Sequence, residues 1–346
     1  MNASPYGLFL TAPRTLELRP LALPALGRGD ALVRVAGCGL CHTDIGFYSG
    51  AVRTKHALPL VLGHEIAGVV EEVGDAAPPL AGRQVLVPAV MPCGRCDLCE
   101  GGRPLACQHQ RMPGNDLHGG FATHVVVPAD MLVPLPDDLG PHTVAELSVI
   151  SDAVTTPYQA LRRACVNAGD LVIVIGIGGI GTYAVQIARA LGAHVAAIDV
   201  DAEKIERAVR LGAAWSFNPR DADGRAIRKT LLAESGVSTA RWRILEMSGT
   251  AAGQELAWAL LPPAGTLGIV GFTMDKVSVR LSNLMAFDAA AFGNWGCAPA
   301  RYPEVVDLVL SGRVQVKPFV ALHDLKDGPA VFANHAGVSR RAVLVP

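Results

Sequence analysis

The chain has 346 residues, which sets a prior of about two domains. Half of its residues are hydrophobic, 18% are charged, and the formal net charge is −1. That composition fills globular cores and gives neither nucleic acid nor an anionic membrane an electrostatic reason to bind. The opening Met1-Asn2-Ala3-Ser4-Pro5 lacks a charged stretch followed by an apolar core, so no signal peptide is expected. The apolar run Leu171 to Ile180 is too short and too glycine-rich to span a bilayer. The expectation is a soluble cytoplasmic protein, in which eight cysteines point to metal or reactivity before disulfides.

The first 150 or so residues read as short strands broken by Gly and Pro, among them Ala31–Val35, Gly68–Val73 and Gln84–Pro88. Cys41-His42-Thr43-Asp44 follows the first of these, and Gly63-His64-Glu65 precedes the second. Cys93, Cys96, Cys99 and Cys107 then form C-x2-C-x2-C-x7-C. Four thiolates close a tetrahedral zinc site with no open position, which suits a structural ion; an iron–sulfur cluster is the rival. Cys38, Cys165 and Cys297 fall outside any spacing and read as small buried hydrophobes. Asp152 lies in Ser151-Asp152-Ala153-Val154-Thr155-Thr156-Pro157. One Cys, one His and one Asp (Cys41, His64, Asp152) leave a fourth metal position for water or substrate. Each also has a bland reading: a buried thiol, a core imidazole, a helix N-cap.

From Asp152 the texture changes. Leu171–Ile175 is a continuous apolar run, as in a buried parallel strand, and a helix follows with Ile180, Ala184, Ile187, Ala188 and Leu191 on one stripe. Further strands are expected at 194–200, 213–217, 243–247 and 266–271, with a charged helix near 202–211. Alternating strands and helices predict a doubly wound α/β domain over about 153–296. Between its first strand and helix, Gly176-Ile177-Gly178-Gly179-Ile180-Gly181 fits G-x-G-x-x-G, with which a pyrophosphate sits at the helix N-terminus. Asp199 lies 23 residues after Gly176, where a carboxylate accepts from the adenosine ribose hydroxyls and repels the 2′-phosphate of NADP. Asp201 is a rival acid that reads as solvated. Lys204 is either a ribose contact or an exposed helix lysine.

Taken together, Gly63-His64-Glu65-x2-Gly68-x5-Gly74, the four-cysteine loop and Gly176–Gly181 resemble the zinc-containing medium-chain dehydrogenases over nearly the whole chain. The resemblance implies a GroES-like β-rich catalytic domain, residues 1–152, to which 297–346 return. It also implies a Rossmann NAD-binding domain, 153–296, an active site in the cleft between the two, two zinc ions and NAD. It puts Cys41, His64 and Asp152 on the catalytic zinc, with Asp152 where many members have a second cysteine; the oxygen donor leaves the metal's identity open. It makes Asp44 the partner of His64, Glu65 an outer partner or an occasional fourth ligand, and Thr43 the hydroxyl that passes the substrate proton. His42 is placed near the cofactor pyrophosphate. Gly46 stands where a relay histidine is common in the family.

A narrower resemblance is to the 6-hydroxycyclohex-1-ene-1-carbonyl-CoA dehydrogenases. It is carried by Gly114–His124, the Asp152 segment, Val270–Thr273, Arg280–Phe287 and Gly293–Cys297. It implies NAD-dependent oxidation of a ring allylic alcohol, carried as a CoA thioester, to an enone in anaerobic benzoyl-CoA degradation, with enone hydration as a conceivable second activity of the site. Arg53, Lys55, His56 and Arg111 are candidate cations for the CoA phosphates. A homo-oligomer, dimer or tetramer, is expected. The alternatives are a generic zinc alcohol dehydrogenase for small secondary alcohols, a metal-free quinone or enoyl reductase, and a non-catalytic zinc-stabilised scaffold.

Overall fold

The computed structural model describes residues 4–335 and 340–346, and the chain divides into two compact units. One is built from the chain up to Thr155 with Gly296–Leu310 and Gln315–Pro346; the other from Thr156–Trp295 with Ser311–Val314.

The first unit is β-rich. Its seven-stranded sheet runs Val320–Asp324, Arg341–Val345, Asp30–Gly39, Glu65–Val73, Gln84–Val87, Val133–Pro134, with His124–Pro128 also paired to Asp30–Gly39. A second sheet joins Thr15–Pro20, Tyr6–Ala12 and Leu60–Val61. Along Asp30–Gly39 the alternate residues Ala31, Val33 and Val35 are buried, the period of a strand with one face on the core. That core includes Leu8, Leu10, Val33, Leu62, Ile66, Phe121 and Phe332. The register sets Gly39 beside Glu65 and Cys38 beside Ile66. Cys41, just past the end of one strand, is thereby brought to His64, just before the start of the next.

The second unit has one six-stranded sheet in the order Trp215–Phe217, His194–Ile198, Leu171–Ile175, Trp242–Glu246, Thr266–Ile269, Ala290–Gly293, every pair parallel. All five residues of Leu171–Ile175 are buried, as a central parallel strand requires. In chain order the sheet runs 3-2-1-4-5-6, so its direction reverses beside Leu171–Ile175, and the crevice at the carboxyl end of that strand is where such sheets take ligands. The strands lie close to their expected places. Asp199 follows the strand end at Ile198, though, and the last edge strand, Ala290–Gly293, has no clear sequence signal because its residues are mostly exposed. Among the described residues no helix is long and apolar enough to cross a membrane.

Candidate functional site

The Cys41 thiol sits at the head of the helix His42–Ser49, where the Asp44 Oδ2 accepts from the Cys41 N–H at 2.9 Å. Asp44 is fully buried, and its Oδ1 accepts from the Gly63 N–H at 3.0 Å while lying 3.3 Å from His64 Nδ1. One carboxylate therefore ties the helix start to the turn before Glu65 and lies against His64 Nδ1, while Nε2 faces Asp152 at 3.6 Å. The Asp152 segment is pinned separately. Ser151 Oγ donates to the Ile66 carbonyl at 2.8 Å, and the Ser151 carbonyl accepts from the buried Tyr302 hydroxyl at 2.5 Å. Asp152 Oδ2 then lies 3.8 Å from Cys41 Sγ.

Cys41, His64, Glu65 and Asp152 each offer a donor atom, and these all lie within 4.8 Å of one another. A tetrahedron with bonds of about 2.0 to 2.3 Å has edges of about 3.3 to 3.8 Å, the spacing found between the Asp152 oxygen and both the imidazole and the thiol. Glu65 is fully buried; its Oε1 accepts from Arg341 Nη1 at 2.6 Å, and its Oε2 has no hydrogen-bond partner among the described residues. Burial pushes the Glu65 carboxyl up to about 7, against the pull of the Arg341 charge. Burial opposes charging His64, yet Asp44 and Asp152 raise its pKa well above the usual imidazole range. The pocket thus calls for positive charge, and a divalent cation suits its mixed S, N and O donors.

The four-cysteine loop also converges. Cys96 Sγ is 3.5 Å from Cys99 Sγ and 3.7 Å from Cys107 Sγ, and all four sulfurs lie within 4.8 Å of one another. Cys107 Sγ accepts from the N–H groups of Cys93 and His109 at 3.4 and 3.3 Å. The Arg95 N–H holds the Cys93 thiol down to about 6, while desolvation and the neighbouring sulfurs push Cys99 up to about 12. Four thiolates this close need a cation among them, which is the demand a tetrahedral zinc meets. Of the cysteines outside these clusters, Cys38 and Cys297 are buried as expected, but Cys165 is exposed. It takes φ 54° just after the helix Thr155–Arg163, where the chain turns and its side chain is left outside the core.

In the second unit Gly176 has φ 87°, and a Cβ there would lie 2.5 Å from the Ser248 backbone. A Cβ on Gly181 would lie 1.9 Å from the Gly176 carbonyl oxygen, whereas one on Gly178 would meet nothing within 4 Å. The turn needs glycine for its bend and for helix contact, and it is open at Gly178, where a phosphate approaches. Gly179 and Ile180 complete the turn before the helix Gly181–Ala190. Asp199 is largely buried; its Oδ2 accepts from the Ile177 N–H at 2.7 Å, and Lys204 Nζ is 4.0 Å from its Oδ1. The rival Asp201 does not reach the turn; it caps the helix Ala202–Arg210 by accepting from Glu203 N and Lys204 N. Thr43 Oγ1 is 3.8 Å from Cys41 Sγ, and His42 is exposed on the same helix. Arg341 and Tyr302 escaped the sequence reading. They act from 276 and 151 residues away, and an Arg or Tyr in a tail strand or helix carries no local signal.

Residues 27–137 match the alcohol dehydrogenase GroES-like domain, and 179–311 the zinc-binding dehydrogenase domain. The chain is 31% identical to an alcohol dehydrogenase of Geobacillus stearothermophilus, over 91% of its own length and 92% of that protein's. It is 30% identical to the D-arabinose 1-dehydrogenase (NADP(+)) of Saccharolobus solfataricus, over 96% and 94%. The crystal structure of the Aeropyrum pernix alcohol dehydrogenase superposes with a TM-score of 0.88 at 29% identity, covering 99% of this chain and all of that one. With its two donor clusters and its glycine-rich turn, the chain belongs to the zinc-dependent medium-chain alcohol dehydrogenases, oxidoreductases acting on CH–OH.

Proposed function

We propose that the chain oxidises a cyclic secondary allylic alcohol with NAD, at Cys41, His64 and Asp152. The observation that carries the site assignment is the convergence of thiol, imidazole and carboxylate, backed by buried Asp44 and by Glu65 paired to Arg341. A zinc ion held there supplies Lewis acidity toward the substrate hydroxyl. Thr43, beside Cys41, would relay the hydroxyl proton outward toward solvent, accepting it while donating its own, and a bound nicotinamide would supply the hydride acceptor. Asp44 holds the head of the helix in place beside the imidazole, and Arg341 binds Glu65 Oε1 next to the ligands and favours its charged form against the effect of burial. Cys93, Cys96, Cys99 and Cys107 hold a structural zinc. Gly176, Gly178, Gly179, Ile180 and Gly181 cradle the dinucleotide pyrophosphate, with His42 as a further contact. Asp199, helped by Lys204, receives the adenosine ribose and selects NAD, in contrast to the NADP named for the Saccharolobus relative.

The substrate reading rests on the narrower sequence resemblance and takes a cyclohexene alcohol carried as a CoA thioester; hydration of the enone product at the same site is a second activity this chemistry allows. Two of the segments that bear on it are fastened together. Asn115 Oδ1 accepts from the Lys55 N–H at 3.0 Å, the Asn115 carbonyl from the His56 N–H at 2.8 Å, and Lys55 Nζ pairs with Asp116 at 3.0 Å. Arg53, Lys55 and His56 are exposed there, as phosphate contacts must be, whereas Arg111 lines a cavity of about 730 Å³ beside Cys93 and Cys96. The homo-oligomer reading is supported by four large apolar side chains close in sequence on the second unit, Phe272, Met274, Leu281 and Met285, each 66 to 79% exposed.

The test is NADH formation from the CoA thioester, its free acid and simple secondary alcohols. The thioester is expected to exceed the others by at least about 100-fold in kcat/KM, because remote binding is spent on the transition state. Comparable values would remove the thioester reading and leave a dehydrogenase for small secondary alcohols.

A further inference from the structure

Both peptide groups that flank Ile177, the second residue of the glycine-rich turn, are held by side chains from the next strand and helix. The Ile177 N–H donates to Asp199 Oδ2 at 2.7 Å. The Ile177 carbonyl accepts from Arg207 Nη2 at 2.8 Å, and more weakly from Thr182 Oγ1 at 3.4 Å. Arg207 lies on the helix Ala202–Arg210, and its Nε is buried without a partner among the described residues. The grip is itself braced: Asp199 Oδ1 accepts from the Asp201 N–H at 3.0 Å, and Asp201 caps the helix that carries Arg207.

The direction of this grip matters. The Ile177–Gly178 peptide is trans, so its N–H points away from its carbonyl. With the carbonyl turned toward Arg207, the Gly178 N–H faces the opposite side. Gly178 is the position of the turn at which a side chain would meet nothing within 4 Å. At the head of a helix, the backbone N–H groups of such a turn bind anions.

We propose that Arg207 is a positioning residue for the dinucleotide phosphates: by holding the Ile177 carbonyl it keeps the Gly178 N–H presented to the pyrophosphate. The inference rests on the reading of Gly176–Gly181 as the dinucleotide site. Arg207 itself touches no phosphate; it sets the peptide that does.

The test is calorimetric titration of the full chain with ADP-ribose, which carries the pyrophosphate, and with adenosine, which carries none. Wild type is compared with Arg207→Met, which keeps the apolar stem, and Arg207→Lys, which keeps the charge but not the planar fork. The expected result for Arg207→Met is about tenfold weaker ADP-ribose binding, as for loss of one charge-assisted hydrogen bond, with adenosine binding changed less than about twofold. Arg207→Lys should fall between, and it carries the same comparison if the Met variant does not fold. Equal weakening of both ligands would overturn the proposal, since Arg207 would then be acting on the adenosine side. Unchanged ADP-ribose binding in a variant with wild-type Tm would overturn it too. Wild-type protein that binds neither ADP-ribose nor NAD would remove the dinucleotide reading, and the proposal with it.

Discussion

At the scale of single residues, Asp199 has two tasks that pull in the same direction. Its carboxylate anchors the Ile177 N–H and, in the proposed function, receives the ribose hydroxyls. Asp199→Ala removes both, so NAD should weaken by more than the loss of one ribose contact, about 10- to 100-fold. NADP, freed from repulsion but still needing the turn, should change little. Steady-state KM values for the two cofactors check this, and wild-type protein that prefers NADP would contradict the assignment. Much of this was legible in sequence, because G-x-G-x-x-G after an apolar run and an acid 23 residues on are local signals. The partners of these residues were not. Arg207 and Arg341 are ordinary arginines in sequence, and only the packing of distant elements brings them to Ile177 and Glu65.

At the scale of elements, the four-cysteine loop is held by its sulfurs more than by regular structure, since its helix Asp97–Glu100 has four residues, none of them buried. Cys96→Ser should therefore lose about one metal per chain and open the loop to proteolysis, because the binding energy of a structural zinc is folding energy. Elemental analysis and limited proteolysis check this; full metal content in a soluble variant would contradict it. The strand Trp242–Glu246 makes a different prediction. It ends in a fully buried carboxyl whose pKa is raised by burial, an effect partly offset by hydrogen bonds from Ser248 and Gly249, and whose Oε2 has no partner among the described residues. A carboxyl with a raised folded pKa stabilises the fold fully below its unfolded pKa and loses that contribution as pH rises through the folded value. Glu246→Gln has no proton to lose, so its Tm relative to wild type should climb between about pH 4 and pH 8. A constant difference across that range would contradict the burial argument. Strands at Leu171–Ile175 and Asp30–Gly39 announced themselves through continuous or alternating apolar residues. Ala290–Gly293, an edge strand with its faces mostly exposed, has neither period.

At the scale of the whole molecule, near-zero net charge and a composition half hydrophobic give no electrostatic reason for nucleic-acid or anionic-membrane partners and otherwise say little about function. The architecture was legible because two motifs with fixed spacing fall one in each unit: the cysteine loop in the first, the glycine-rich turn in the second. The open donor cluster was less so. Cys41, His64 and Asp152 span more than a hundred residues, and the sheet register and the Ser151 contacts bring them within reach of one another. That cluster also separates the dehydrogenase from a metal-free reductase and from a scaffold stabilised by a single zinc. The measurement that tests it most directly is metal stoichiometry, by elemental analysis of wild type and His64→Ala, with NADH formation followed on the same samples. The account predicts about two zinc ions per chain in wild type, about one in the variant, and turnover lowered by at least about 1000-fold while NAD still binds. A single zinc in wild type, or undiminished turnover in a variant that has lost one, would contradict it.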